Sequence, residues 1–98
     1  MNITTERDGN SLVISVSGRV DTVTAPELEK SITDNIDGVG ELVLDLQNMT
    51  YTSSAGLRVI LKAKKLMDRQ GSLTVKNVRS EIMEIFDITG FSDILNIA

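Results

Sequence analysis

The first part of the chain alternates hydrophobic and polar residues in the way that is typical of β-strands. Residues 2–7 predict a first strand, and residues 11–17 (SLVISVS) place their aliphatic side chains on one face with a period of two. The segment 8–10 between them is a turn signal, because glycine tolerates positive φ. The pattern therefore predicts an N-terminal hairpin whose second strand ends at Gly18.

Helical periodicity follows the hairpin in three places. Residues 28–36 carry an aliphatic side chain at every fourth position, which predicts one stripe of a first helix. Thr24 and Glu27 fit a capping box in which each side chain bonds the other residue's backbone N–H. Residues 55–70 and 80–89 show the same helical pattern, and a glycine follows each of them.

The remaining apolar segments complete an α/β fold. Residues 41–46 (ELVLDL) lack clean alternation, which predicts a central strand buried on both faces. Residues 72–76 predict another strand, and residues 91–98 a short final element. The order is β-β-α-β-α-β-α, with right-handed crossovers. We therefore expect a single domain over residues 1–98, with helices packed on a four-stranded mixed sheet that is antiparallel only at the hairpin.

Composition excludes several classes of function. The chain contains neither histidine nor cysteine, so Ser-His-Asp catalysis and His/Cys metal sites are excluded. Ten basic and fourteen acidic residues give a net charge of −4, without the basic patch that nucleic-acid or membrane binding requires. No export signal and no apolar run of about 20 residues is present. We expect a cytoplasmic protein with no cofactor, no metal, no nucleic-acid partner and no membrane insertion.

Two polar segments, 18–24 and 47–54, follow predicted strands, and ligands of α/β sheets bind at the carboxyl ends of strands. The second segment places a run of hydroxyl residues directly before a helix. One interpretation is that Ser54 caps that helix. A nucleophile is not supported, because no GxSxG motif and no histidine are present, and the spacing of a phosphate-binding P-loop is missing as well.

The other interpretation is that Ser54 accepts a phosphate. A helix N-terminus tolerates negative charge, so phosphorylation there need not damage the fold. Arg58 follows four residues later and could partly neutralise the phosphate, or it could be an ordinary solvated arginine. A small enzyme that pairs Asp21 with Asp45 is a weaker alternative, since nothing in the sequence brings these carboxylates together.

Three segments at matching spacing resemble the STAS-domain anti-sigma factor antagonists. They are residues 44–61 (LDLQNMTYTSSAGLRVIL), residues 18–25 (GRVDTVTA) and residues 85–91 (IFDITGF). The resemblance covers almost the whole chain. It implies a non-catalytic protein that binds an ATP-dependent anti-sigma factor serine kinase and is restored by a PP2C-type phosphatase.

The resemblance also assigns residues. The family's phosphoacceptor is the serine two residues before a glycine, here Ser54 before Gly56. Many members carry aspartate just before it, where this chain has Ser53, which makes Ser53 a second candidate acceptor. The alternative function is a non-phosphorylated STAS scaffold subunit of a transporter or signalling complex. The residues expected to bind the partner are Asp21, Thr22, Thr24, Thr52, Ser53, Ser54, Gly56 and Arg58.

Overall fold

The computed structural model describes residues 1–98 and begins with the predicted hairpin. Strands and helices then alternate, and the chain ends in a short helix and a short strand. In chain order the elements are β1 (Asn2–Asp8), β2 (Ser11–Val20), α1 (Ala25–Asn35), β3 (Glu41–Thr52), α2 (Ser54–Asp68), β4 (Ser72–Lys76), α3 (Ser80–Thr89), α4 (Phe91–Ile94) and β5 (Asn96–Ile97). No helix has the combination of length and apolar character that crossing a membrane requires.

The strands form one mixed sheet in the order β1-β2-β3-β4-β5. Only the β1–β2 pair is antiparallel, and every other neighbouring pair is parallel. The mixed sheet predicted from the sequence is confirmed, but the predicted count of four strands is wrong. The fifth strand is Asn96–Ile97, which pairs with β4 after buried Leu95 anchors the C-terminal segment to the core.

The helices cover one face of the sheet. Right-handed crossovers that all step in the same direction, from β2 to β5, leave their helices on the same side. Alternate residues of β2, β3 and β4 point into this helical layer and are buried with it in one aliphatic core. The other face is open, so Val43 and Asp45 of β3 are only half-buried, and the prediction of a strand buried on both faces is wrong.

β2 and β3 are longer than predicted, because their pairing continues through two irregularities. β3 contains one extra residue relative to β2 between Ser15 and Ser17 and another between Gly18 and Arg19. Gly18 adopts a φ of 90°, which favours glycine, and lies next to the second irregularity without ending the strand. The polar segment expected to be a loop after residue 46 is therefore strand up to Thr52.

Candidate functional site

The carboxyl ends of β2 and β3 bring the two polar segments together. The backbone N–H of Ser53 donates to the carbonyl oxygen of Val20 at 2.8 Å, which joins the last residue of β2 to the residue that precedes α2. α1 and α2 therefore begin side by side and enclose a groove of about 410 Å³. This α1–α2 groove is lined by Thr22, Ala25, Pro26, Glu29, Ala55, Arg58, Val59 and Lys62.

The two candidate acceptor serines lie in different surroundings. Ser54 is the first residue of α2 and is exposed to solvent. Ser53 precedes it in extended conformation, and its Oγ is buried without a hydrogen-bond partner. No side chain caps α2, so the predicted capping role of Ser54 is wrong. The first backbone N–H groups of a helix have no intrahelical partner, which leaves this end of α2 suited to negative charge.

Two of the expected partner-binding residues are buried and determine how closely α2 packs against the sheet. Thr52 is 4% exposed, and Gly56 is buried in the first turn of α2. A Cβ atom on Gly56 would lie 2.9 Å from Cγ1 of Val20, so only glycine lets α2 approach the end of β2 this closely. This close packing holds Ser54 at the carboxyl end of β3, beside the segment that follows β2.

That segment is a tight turn organised by Asp21. Its Oδ1 accepts hydrogen bonds from the backbone N–H groups of Val23 at 3.0 Å and Thr24 at 3.1 Å. Oγ1 of Thr24 in turn accepts from the N–H of Asp21 at 2.9 Å. The predicted capping box between Thr24 and Glu27 is wrong, because the Thr24 hydroxyl faces the turn and makes no bond to the N–H groups of α1. The sequence pattern did not distinguish the two uses of that hydroxyl.

The turn also affects the charge of Asp21. Hydrogen bonds from the backbone N–H groups of Thr24 and Val23 lower the pKa of the Asp21 carboxyl below its ordinary value of 3.8, and nearby Arg19 acts in the same direction. Asp21 is therefore ionised at neutral pH. Asp45 has other partners, since its Oδ1 accepts from the N–H of Gln47 and from Nδ2 of Asn77.

Comparison with known proteins identifies the fold. The sequence profile of the STAS domain matches residues 2–98. The chain belongs to the STAS domain family. An anti-sigma-B factor antagonist of Listeria monocytogenes is 36% identical over 96 residues, which cover 94% of this STAS domain and 82% of that protein.

Solved structures agree with this assignment. An anti-sigma factor antagonist from Mycobacterium paratuberculosis matches this STAS domain with a TM-score of 0.89 at 26% identity, covering 98% of this chain and 83% of that chain. The Bacillus cell fate determinant SpoIIAA in its phosphorylated form shares the fold, with a TM-score of 0.78 at 16% identity and coverage of 99% and 91%. The resemblance to the anti-sigma factor antagonists that the sequence suggested is confirmed.

The STAS domain also exposes groups around the carboxyl ends of β2 and β3 that the sequence did not single out. Val23, at the tip of the Asp21 turn, is 83% exposed. The guanidinium carbon of Arg19 lies 4.2 Å from the centre of the Tyr51 ring, a cation–π contact. The second irregularity of β3 sets Tyr51 opposite Arg19, so neither residue could be paired with the other before the register was known.

Proposed function

We propose that this STAS domain is an anti-sigma factor antagonist whose binding to its partner is switched by phosphorylation of Ser54. The observation that carries the proposal is the exposure of Ser54 at the first position of α2, whereas the hydroxyl of the neighbouring Ser53 is buried. A kinase can reach the first hydroxyl without disturbing the fold and cannot reach the second. The Listeria relative, named an anti-sigma-B factor antagonist, supports the class of partner.

The phosphate would come from ATP bound to an anti-sigma factor serine kinase. Oγ of Ser54 attacks the γ-phosphorus, the bond from that phosphorus to the β–γ bridging oxygen breaks, and ADP leaves. The hydroxyl proton passes to a base on the kinase. The STAS domain is thus a ligand and a substrate, and it contributes no catalytic group to the transfer.

The surroundings of Ser54 favour a stable phosphorylated form. A phosphoserine carries a charge of about −1.5 to −2 at neutral pH, which the free N–H groups and dipole of a helix N-terminus stabilise. Arg58 lies one turn further along α2, takes part in no ion pair, and can approach the phosphate. The fold itself tolerates phosphorylation, because SpoIIAA, which shares it, is known in a phosphorylated form.

The added charge would act on docking and leave the fold intact. The unphosphorylated protein binds the kinase through the exposed groups around Ser54 and the α1–α2 groove, and this binding frees the sigma factor. The phosphate places a double negative charge in the centre of that surface and ends the binding. A PP2C-type phosphatase in the cytoplasm removes the phosphate and restores the antagonist.

Incubation with the cognate kinase and ATP tests the proposal by intact-mass measurement. We expect one added phosphate on the wild-type chain, none on Ser54→Ala and one on Ser53→Ala, which is the matched control. Phosphate that persists on Ser54→Ala would refute the site. If wild type gains no phosphate and Ser54→Glu binds the same partner as tightly as wild type does, the protein is a non-phosphorylated scaffold.

A further inference from the structure

The α1–α2 groove has an apolar floor. Ala25 and Val59 line the groove and are buried, so they form its bottom, and Pro26 and Ala55 add further apolar surface beside them. The two alanines leave space that a larger side chain would fill. The resulting volume of about 410 Å³ lies within the range of about 300–1,000 Å³ that is usual for small-molecule sites, which are concave and mostly apolar. The groove can therefore hold the apolar body of a small molecule.

The charged side chains that line the groove carry an excess of positive charge. Nζ of Lys62 on α2 lies 3.3 Å from Oε1 of Glu29 on α1, so these two charges balance each other in an ion pair that joins the helices. Arg58 lines the same groove and takes part in no ion pair. Two cations and one anion thus leave one unbalanced positive charge here, although the whole chain has a net charge of −4.

Floor and charge together restrict the chemistry of a ligand. A small inorganic anion would pair with Arg58 but would leave the apolar floor in contact with water. A neutral apolar molecule would cover the floor but leave the guanidinium without a partner, and a cation would be repelled by the excess charge. A carboxylate attached to an apolar body satisfies both features, because the planar guanidinium can donate two parallel hydrogen bonds to its two oxygens.

We propose that the α1–α2 groove is a binding site for a small organic carboxylate, whose apolar body lies on Ala25 and Val59 and whose carboxylate pairs with Arg58. The site goes beyond the proposed function and does not depend on it. One consequence does rest on that function: a bound carboxylate would cover part of the surface on which the kinase docks. Such a ligand would therefore compete with the kinase for the unphosphorylated protein.

Titration of the isolated, unphosphorylated chain with three matched probes tests the site by proton–nitrogen NMR at pH 7 and constant ionic strength. Phenylacetate has both required features, phenylacetamide has the same shape without the charge, and acetate has the charge without the apolar body. We expect phenylacetate to shift the amide signals of the groove residues, with a dissociation constant of about 1–10 mM for a ligand of this size. Phenylacetamide should bind about fivefold more weakly, and acetate should show no saturation.

Two variants separate the roles of charge and floor. Arg58→Gln should reduce the affinity for phenylacetate by about fivefold, to that of phenylacetamide, and leave the affinity for phenylacetamide unchanged. Arg69→Gln is the matched control, because Arg69 is an exposed arginine at the other end of α2, and it should bind both probes as wild type does. Ala55→Leu should weaken binding of both aromatic probes by about fivefold or more, since the larger side chain fills the groove.

The site would be overturned if phenylacetate at 50 times the concentration of about 1 mM expected for half-saturation gave no saturable shifts, or if its shifts lay outside the groove. Equal affinities of wild type and Arg58→Gln for phenylacetate would refute the role of Arg58. Circular dichroism checks that each variant is folded, and Arg58→Gln, at an exposed position, keeps the test available if Ala55→Leu unfolds.

The competition is tested separately with the kinase that phosphorylates wild type. Saturating phenylacetate should weaken its binding to the unphosphorylated chain by about threefold or more, and saturating acetate, the control, should not. Unchanged kinase affinity would overturn the competition. A kinase that neither binds nor phosphorylates the wild-type chain would overturn the proposed function, and the NMR titrations would still decide the site.

Discussion

A Cβ atom added to Gly56 would stand 2.3 Å from Oγ1 of Thr52, closer than two such atoms can approach. Thr52 is buried at the end of β3, and its hydroxyl donates to the carbonyl of Ser53 at 3.2 Å, so it cannot simply swing into solvent. The first turn of α2 therefore rests directly on the end of the sheet. A side chain at position 56 would push that turn outward together with Ser54.

Gly56→Ala should consequently destabilise the protein. Overpacking of this kind costs about 1–3 kcal/mol, which exceeds the gain of up to about 1 kcal/mol that alanine offers in a helix. Urea unfolding measures the difference. Adding Thr52→Ala should recover part of the loss, because it removes the nearest atom. An unchanged free energy of unfolding in Gly56→Ala would show that α2 shifts at no cost.

Ser53→Ala should leave stability unchanged or raise it. Serine at a helix N-cap usually contributes about 0.5–2 kcal/mol, but here its hydroxyl makes no hydrogen bond and is buried. Removal of a buried, unsatisfied hydroxyl relieves a desolvation penalty. The comparison is Ser54→Ala, at an exposed position in the same turn, with an expected change within about 0.5 kcal/mol. A loss in Ser53→Ala of the size typical of a cap would contradict the assignment.

The stability of the Asp21 turn should depend on pH in the acid range. Because folding lowers the pKa of this carboxyl below 3.8, its contribution is fully present above that value and is lost as the pH falls through the lower folded-state pKa. Carbon-13 NMR of the carboxyl should show a midpoint below 3.8. In Thr24→Val, which lacks the hydroxyl donor, the midpoint should move upward, and a midpoint that stays in place would exclude that hydroxyl as a cause.

Arg58 should affect stability only after phosphorylation. In the unphosphorylated protein it takes part in none of the ion pairs, so Arg58→Gln should leave the free energy of unfolding unchanged. In the phosphorylated protein an exposed i,i+4 pair is worth about 0.3–0.5 kcal/mol, and phosphorus-31 NMR should show the second pKa of the phosphoserine raised in the variant. Lys65→Gln, near the other end of α2, is the control. Equal pKa values in wild type and Arg58→Gln would show that Arg58 does not approach the phosphate.

Regular segments of this chain could be predicted because their patterns are local. β4 and α3 have the predicted bounds, residues 72–76 and 80–89. The β1–β2 hairpin follows from alternation and one glycine turn, both contained in a few neighbouring residues. The family resemblance could likewise be found in short segments, and it singled out Ser54 and Asp21.

The errors fall where residues distant in sequence meet. β3 continues to Thr52 only because β2 lies beside it and supplies hydrogen-bond partners through two irregularities. The Thr24 hydroxyl could cap α1 or close the Asp21 turn, and both choices satisfy the same local pattern. The path of the chain from β2 into α1 places the Thr24 hydroxyl in the turn and not at the N–H groups of α1.

The sequence by itself determined the class of fold, the order of all but the last strand and the region that holds the site, because hydrophobic period and turn chemistry are properties of adjacent residues. Only the tertiary structure decided that the Ser53 hydroxyl is buried and Ser54 exposed, and that Val23 is exposed in the hydrogen-bonded turn that Asp21 organises. Which side chain is buried depends on what packs against it, and the packing of α2 on β2 and β3 is set by contacts that no local pattern encodes.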